Sequence, residues 1–292
     1  MSWLIFSIIS ILFTVTYGLI SKSILSKNEN FDPIPYAFVL FTSVSIYSFI
    51  LYFLHPIQVF NIQALANPQF LQYFIPVCLL YAAAPSLYYR VLKHLPISEV
   101  TILYALTGIY ALFFGLAIHS ELFSLFRIFG ALFIFVSVLL VSLHGKKARF
   151  NRYFWMMVVA TLLYAIAAMI DNKIVESHFI DTTLYQALNF GIPAFILLLL
   201  NPRNAKDVSK IIKNKTTLIH TYVNGLFFFF SFFFIFKAYE AGGYASQVNL
   251  VLSTETIVTV IFAAFFLKER KYLNVKIIAA LFATLGVYLL SR

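Results

Sequence analysis

The sequence is short of charge and of cysteine, and each shortage excludes something. Only 11% of the 292 residues are Asp, Glu, Lys or Arg, against 62% hydrophobic. A soluble domain carries about 25% charged and about 45–50% apolar residues, so a water-soluble fold has no means of covering this much apolar surface. Cys78 is the only cysteine, which rules out an internal disulfide and a Cys-based metal centre. The six His are scattered rather than paired at metal-ligand spacing, and no Gly-rich phosphate loop is present. Metal binding and direct coupling to ATP therefore have no sequence support; neither an enzyme nor a cofactor is expected, beyond a coupling proton or cation.

What is abundant is long apolar runs. A helix crosses a hydrocarbon core of about 30 Å with roughly 20 mostly apolar residues. Runs suited to that length fall at 2–22, 35–55, 70–90, 97–118, 122–143, 153–175, 182–200, 218–240, 244–267 and 272–291. The runs are continuous rather than alternating over about ten residues, which excludes a membrane β-barrel. The opening run, Ser2 to Ile20, has no basic leader and no small-residue cleavage site before Lys22, so it reads as a first membrane helix rather than a secretory signal. The expected fold is an all-α membrane protein of ten transmembrane helices. Its net charge of +10 is carried mainly between the apolar runs, where it sets topology and meets anionic lipid rather than nucleic acid. The polar stretch from Asn201 to Thr217 reads as a long connection, and the Phe-rich stretch from Phe227 to Phe236 as packing.

The chain also repeats itself. Placing Tyr89 on Phe236 puts Arg90 on Lys237, Leu103 on Leu250 and Thr107 on Thr254 at one offset, and small length adjustments bring Glu121 onto Glu269 and Ala131-Leu132-Phe133 onto Ala280-Leu281-Phe282. Earlier in each half, Lys22 matches Lys173, Asp32 matches Asp181 and Tyr36 matches Tyr185. The expected units are residues 1–146 and 152–292, with five helices each. An odd number reverses the second copy in the membrane, and inverted repeats of this kind recur in secondary transporters, with the substrate site at the repeat interface near midplane.

Two stretches resemble the EamA-type, ten-helix branch of the drug/metabolite transporter superfamily: Lys237-Ala-Tyr-Glu-Ala-Gly-Gly-Tyr-Ala-Ser246, leading into the ninth helix, and Phe266-Leu-Lys-Glu-Arg270, followed by the small-residue helix Ile277 to Leu290. The first half keeps a weaker version in His119-Ser120-Glu121 and Gly130. Ser120 and Lys268 stand where the family usually has Gly before the acidic residue. The resemblance implies a carrier with a central cavity lined from both halves, often exporting amino acids or related metabolites, without ATP hydrolysis. Seventeen of the 21 Lys and Arg fall in connections after odd-numbered helices, which by the positive-inside rule places both termini outside the cytoplasm; the superfamily's eukaryotic members have the opposite orientation.

The polar residues inside the runs supply the candidate site. Glu255, between Thr254 and Thr256, lies near the centre of the ninth run, where a carboxylate costs several kcal/mol unless it is protonated, paired or wet. It is the leading candidate for binding a cationic group or carrying a proton. Tyr185, Gln186 and Asn189 share one side of the seventh helix, with Asn224 on the eighth and Asn249 on the ninth; the alternative role for these is interhelical hydrogen bonding. Tyr104 and Thr107 mark a polar seam on the fourth helix, where a Tyr ring can meet a cation. Lys22, Lys173 and the nearby Asp171 are candidates for gating. The reading is a secondary transporter moving a small metabolite (an amino acid, amine or related compound) by export or exchange, in a bacterial cytoplasmic membrane and with a homodimer as one possible assembly. The alternatives are a flippase for a lipid-linked substrate and a non-transport membrane enzyme or assembly factor.

Overall fold

The computed structural model describes residues 2–27, 32–54, 65–119, 125–143, 151–199 and 203–290, and among them every regular element is a helix. In chain order these are α1 (Ser2–Lys27), α2 (Pro33–Leu54), α3 (Pro68–His94), α4 (Ile97–Tyr104), α5 (Leu106–His119), α6 (Leu125–Leu143), α7 (Arg152–Glu176), α8 (Thr182–Leu199), α9 (Arg203–Lys213), α10 (Lys215–Glu240), α11 (Ala245–Leu252), α12 (Glu255–Phe266) and α13 (Leu273–Leu290). Six are long and apolar enough to span a membrane, and four shorter apolar segments complete the ten spans. Ser120 and Glu121, used in the repeat and in the resemblance, lie outside the described residues.

Large apolar side chains point outward along the spans, among them Leu12, Phe53, Leu79, Trp155, Phe195 and Phe265, all more than half exposed. In water this surface would drive aggregation; in a bilayer it faces lipid. The inside is held by close packing and by hydrogen bonds between helices, because lipid tails supply no hydrophobic force between spans. Gly286 shows how close the approach is: a Cβ there would stand 2.6 Å from the carbonyl oxygen of Gly130, so α6 and α13 touch backbone to backbone.

The pairing of helices reveals the repeat. α1 packs on α10 and α3 on α7, while α2 packs on α8, α4 on α12 and α6 on α13. In terms of spans, the first pairs with the eighth and the third with the sixth, and exchanging the two halves converts one contact into the other. The remaining three pairs are each mapped onto themselves. That is the signature of a two-fold relation between two inverted five-helix units.

Two features depart from the sequence reading. Residues expected to form a plain polar connection contain the helix α9, whose Val208 and Ile211 are buried while its Lys and Asp side chains stay outside. The fourth and ninth spans are each interrupted, between α4 and α5 and between α11 and α12. At the first break the Thr107 hydroxyl donates to the Tyr104 carbonyl (2.8 Å), and at the second the Thr254 hydroxyl donates to the Val251 carbonyl (2.7 Å). These are equivalent bonds in the repeat, and a Thr bonding back one turn bends a helix. Backbone bonds between residues three apart, Ala105 to Ile102 and Thr254 to Val251, tighten both breaks toward 3₁₀ geometry.

Candidate functional site

A cavity of about 110 Å³ opens at the centre of the bundle, where the two interrupted spans meet α1, α3, α7 and α10. The same two spans touch through the Thr256 hydroxyl, which donates to the Thr101 carbonyl at 3.4 Å. Side chains from both repeats form the wall, and two of them are carboxylates with opposite surroundings.

Asp171, on α7, is 2% exposed and fully served by donors. One oxygen accepts from the Tyr185 hydroxyl and from Asn189 Nδ2 (3.3 Å); the other accepts from the Tyr81 hydroxyl (2.6 Å). Donors from α3, α7's neighbour, and from α8 thus fix its position. Glu255 opens α12 just after the break. It is 8% exposed, and its Oε2 is buried with no hydrogen-bond partner among the described residues. It shares the cavity wall with Tyr88, Tyr104 and Tyr164, which form a three-ring cluster. The centroids are 6.4 Å apart for Tyr88–Tyr104, 6.1 Å for Tyr88–Tyr164 and 5.8 Å for Tyr104–Tyr164, and the planes are steeply inclined to one another. No Lys, Arg or His occurs among the described residues of the wall.

Of the residues singled out in the sequence, Glu255, Tyr104, Thr107, Asn249 and Asp171 stand in this wall. Asp171, considered for gating, is thus part of the cavity wall. Tyr185 and Asn189 sit behind the wall and hold Asp171. Gln186 donates to the Phe229 carbonyl at 2.9 Å, and the Asn224 amide donates to Ser21 and Tyr36, so both tie helices together. Thr254 shapes the helix break. The ring stretch on α10 does more than pack, since Phe228 and Phe232 border the cavity. Tyr81, Tyr88 and Tyr164 escaped the sequence reading because a Tyr within an apolar run leaves no mark of which way it faces.

Lys22 and Lys173 part company. Lys22 donates to the carbonyls of Leu92 (2.8 Å), Lys93 (3.3 Å) and Leu95 (2.8 Å), which stitches the end of α1 to the turn between α3 and α4. Lys173 is exposed, and its neighbour Asn172 makes the corresponding tie in the second half. The Asn172 amide donates to the Gly243 carbonyl and its oxygen accepts from the Ala245 N–H, at 3.3 Å each. Beside Lys22, Glu269 accepts from the Ile97 N–H (2.9 Å), the Ser98 N–H (3.1 Å) and the Ser98 hydroxyl (2.6 Å). The buried Lys276 donates to the same hydroxyl at 2.7 Å and stands 3.8 Å from Glu99. Polar ties between spans thus occur in both halves, at Lys22 and Glu269 in one and at Asn172 in the other, and Lys276 was not foreseen.

The model of the EamA-like transporter family matches residues 1–143 and again residues 151–292. The chain belongs to the EamA-like transporter family. Two family units in tandem cover the repeat seen in the helix pairing, and the acidic residue of the Leu267-Lys-Glu269 stretch is the one that caps α4. A solved structure titled "Crystal structure of protein" aligns with a TM-score of 0.66 over 99% of this chain and 96% of its own, at 12% identity; that likeness is one of fold. A search of curated proteins found no match. This EamA-like protein is therefore a multi-pass integral membrane protein of a transporter family, with a central acidic cavity between its halves.

Proposed function

We propose that this chain is a secondary carrier that moves a small metabolite by alternating access, with the central cavity as its substrate site, in a bacterial cytoplasmic membrane. The observation that carries this reading is a cavity walled by spans of both inverted halves. Rocking one half against the other exposes such a site first to one side of the membrane and then to the other. In this scheme the polar ties made by Lys22, by Glu269 and by Asn172 serve the two alternating closures, and the Thr-bent breaks of the fourth and ninth spans supply places for the helices to flex.

Glu255 is the coupling group in this scheme. A carboxylate held in the bundle without a counter-charge is costly, so a proton occupies the site when substrate does not. The test is counterflow in liposomes loaded in turn with amino acids, amines, nucleotides and sugar derivatives. Wild type accumulates at least one of them, and Ala168→Trp, which fills the cavity, abolishes that accumulation while the protein still elutes as a single species. An imposed pH gradient accelerates wild type and leaves Glu255→Gln unaffected. If Ala168→Trp transports at the wild-type rate, the cavity is not the route. Scrambling of a fluorescent lipid without counterflow of any solute would instead support the flippase reading.

A further inference from the structure

The cavity wall has a strongly one-sided chemistry. It holds two carboxylates, six Tyr and no basic side chain among the described residues. An anionic ligand entering it finds no positive partner, and the carboxylate of a zwitterion finds only hydroxyl and amide donors while facing two acids. Burying an unpaired ionised group in such a place is unfavourable. Phosphorylated compounds and free amino acids are therefore poor occupants, although amino acids belong to the wider class considered from the sequence.

The two acids are also unequal. Asp171 already accepts three hydrogen bonds, from Tyr81, Tyr185 and Asn189, so its oxygens are engaged within the wall. Glu255 has a buried oxygen without a partner among the described residues and waits for one from the cavity. On the wall of the same cavity, Tyr88, Tyr104 and Tyr164 set three ring planes at inclinations of 57° to 83° with centroids 5.8–6.4 Å apart. Steeply inclined Tyr rings beside a carboxylate are the arrangement that recognises alkylated ammonium groups, whose diffuse positive charge is attracted to ring faces and whose methyl groups fill apolar space.

Resting on the carrier reading above, we infer that the substrate is a small organic cation, an alkylated ammonium, seated with its charged nitrogen at Glu255 and its alkyl groups against Tyr88, Tyr104 and Tyr164. The size of the cavity agrees: about 110 Å³ is of the same order as engineered cavities that take up one benzene ring, which is close to the bulk of a trimethylammonium head.

The experiment compares four probes of nearly equal shape by thermal stabilisation of the purified full chain and by counterflow. They are choline (a cation), 3,3-dimethylbutan-1-ol (its neutral isostere), glycine betaine (a zwitterion) and 3,3-dimethylbutanoate (an anion). The expected result is saturable stabilisation by choline alone. Glu255→Gln raises the half-saturating concentration by at least about tenfold, as does Tyr104→Leu, whereas Tyr104→Phe, which keeps the ring face, stays within about twofold. If Glu255→Gln does not fold, the contrast between Tyr104→Leu and Tyr104→Phe carries the same decision. Equal stabilisation by the alcohol, betaine or the anion overturns the cation assignment, as does choline binding that ignores both substitutions. Counterflow of a non-cationic solute sinks the cation assignment alone and leaves the carrier reading standing. No stabilisation by choline together with no counterflow of any solute sinks both.

Discussion

Lys268 has φ 58°, in the left-handed region, at the position where the family usually has glycine. For a residue with a Cβ that conformation costs roughly 1–2 kcal/mol, and it is enforced by the turn that carries Glu269 away from α12 and under α4. Glycine meets the same need without a side-chain penalty. Lys268→Gly is therefore expected to stabilise the protein by about 1 kcal/mol, read as a higher melting temperature in detergent with unchanged ligand response. Asp171 gives a prediction of the opposite sign. Removing the Tyr185 hydroxyl in Tyr185→Phe takes one of three donors from a buried carboxylate, at a cost of about 1–3 kcal/mol in thermal unfolding. Legibility at this scale was uneven. Glu255 stood out because an acid inside an apolar run has few reasons to be there, and Thr107 and Thr254 because the repeat aligned them. Lys276 was hidden by its position at a span end, where a Lys normally snorkels to water; here it is 2% exposed and turned inward by Ser98 and Glu99.

Among the elements, α4 depends on help from the other half of the chain. Its N-cap is Pro96, which makes no side-chain cap hydrogen bond, and Glu269 fills the role by accepting from the Ile97 and Ser98 N–H groups. A carboxylate there also meets the positive end of the helix dipole. Glu269→Ala is expected to cost about 1–2 kcal/mol, and hydrogen exchange should rise first in the opening turn of α4. Uniform protection across α4 in this variant would show that the cap is redundant. The long spans were legible because continuous hydrophobicity over about 20 residues has one main explanation. The breaks within the fourth and ninth spans were not, because a bend made by Thr hydroxyls does not interrupt the apolar pattern. Helix α9 was missed for the converse reason: five basic residues between Arg203 and Lys215 read as a loop, and the small buried face of Val208 and Ile211 is too brief to announce itself.

At the scale of the molecule, the two-fold pairing makes contacts on the axis sensitive to bulk. A side chain added at Gly286 has the Gly130 carbonyl and Ile134 in its way, and Gly286→Leu should lower stability by about 1–3 kcal/mol, seen as a lower melting temperature. The inverted arrangement itself was legible from five runs per half and from Arg90, Lys237 and the paired Thr residues; which spans meet across the halves was not, because apolar helices in lipid carry no pairing code beyond small residues and scattered polar groups. The single cysteine has a practical consequence here. Cys78 lies in α3 at 3% exposure, packed in the cluster that contains Tyr81 and Tyr185, and no other thiol competes with it. The native chain is thus a one-reporter system: a methanethiosulfonate reagent modifies it only as fast as α3 and its neighbours part, so the labelling half-time is a stopwatch on the breathing of the bundle, readable by mass spectrometry without engineering a single residue.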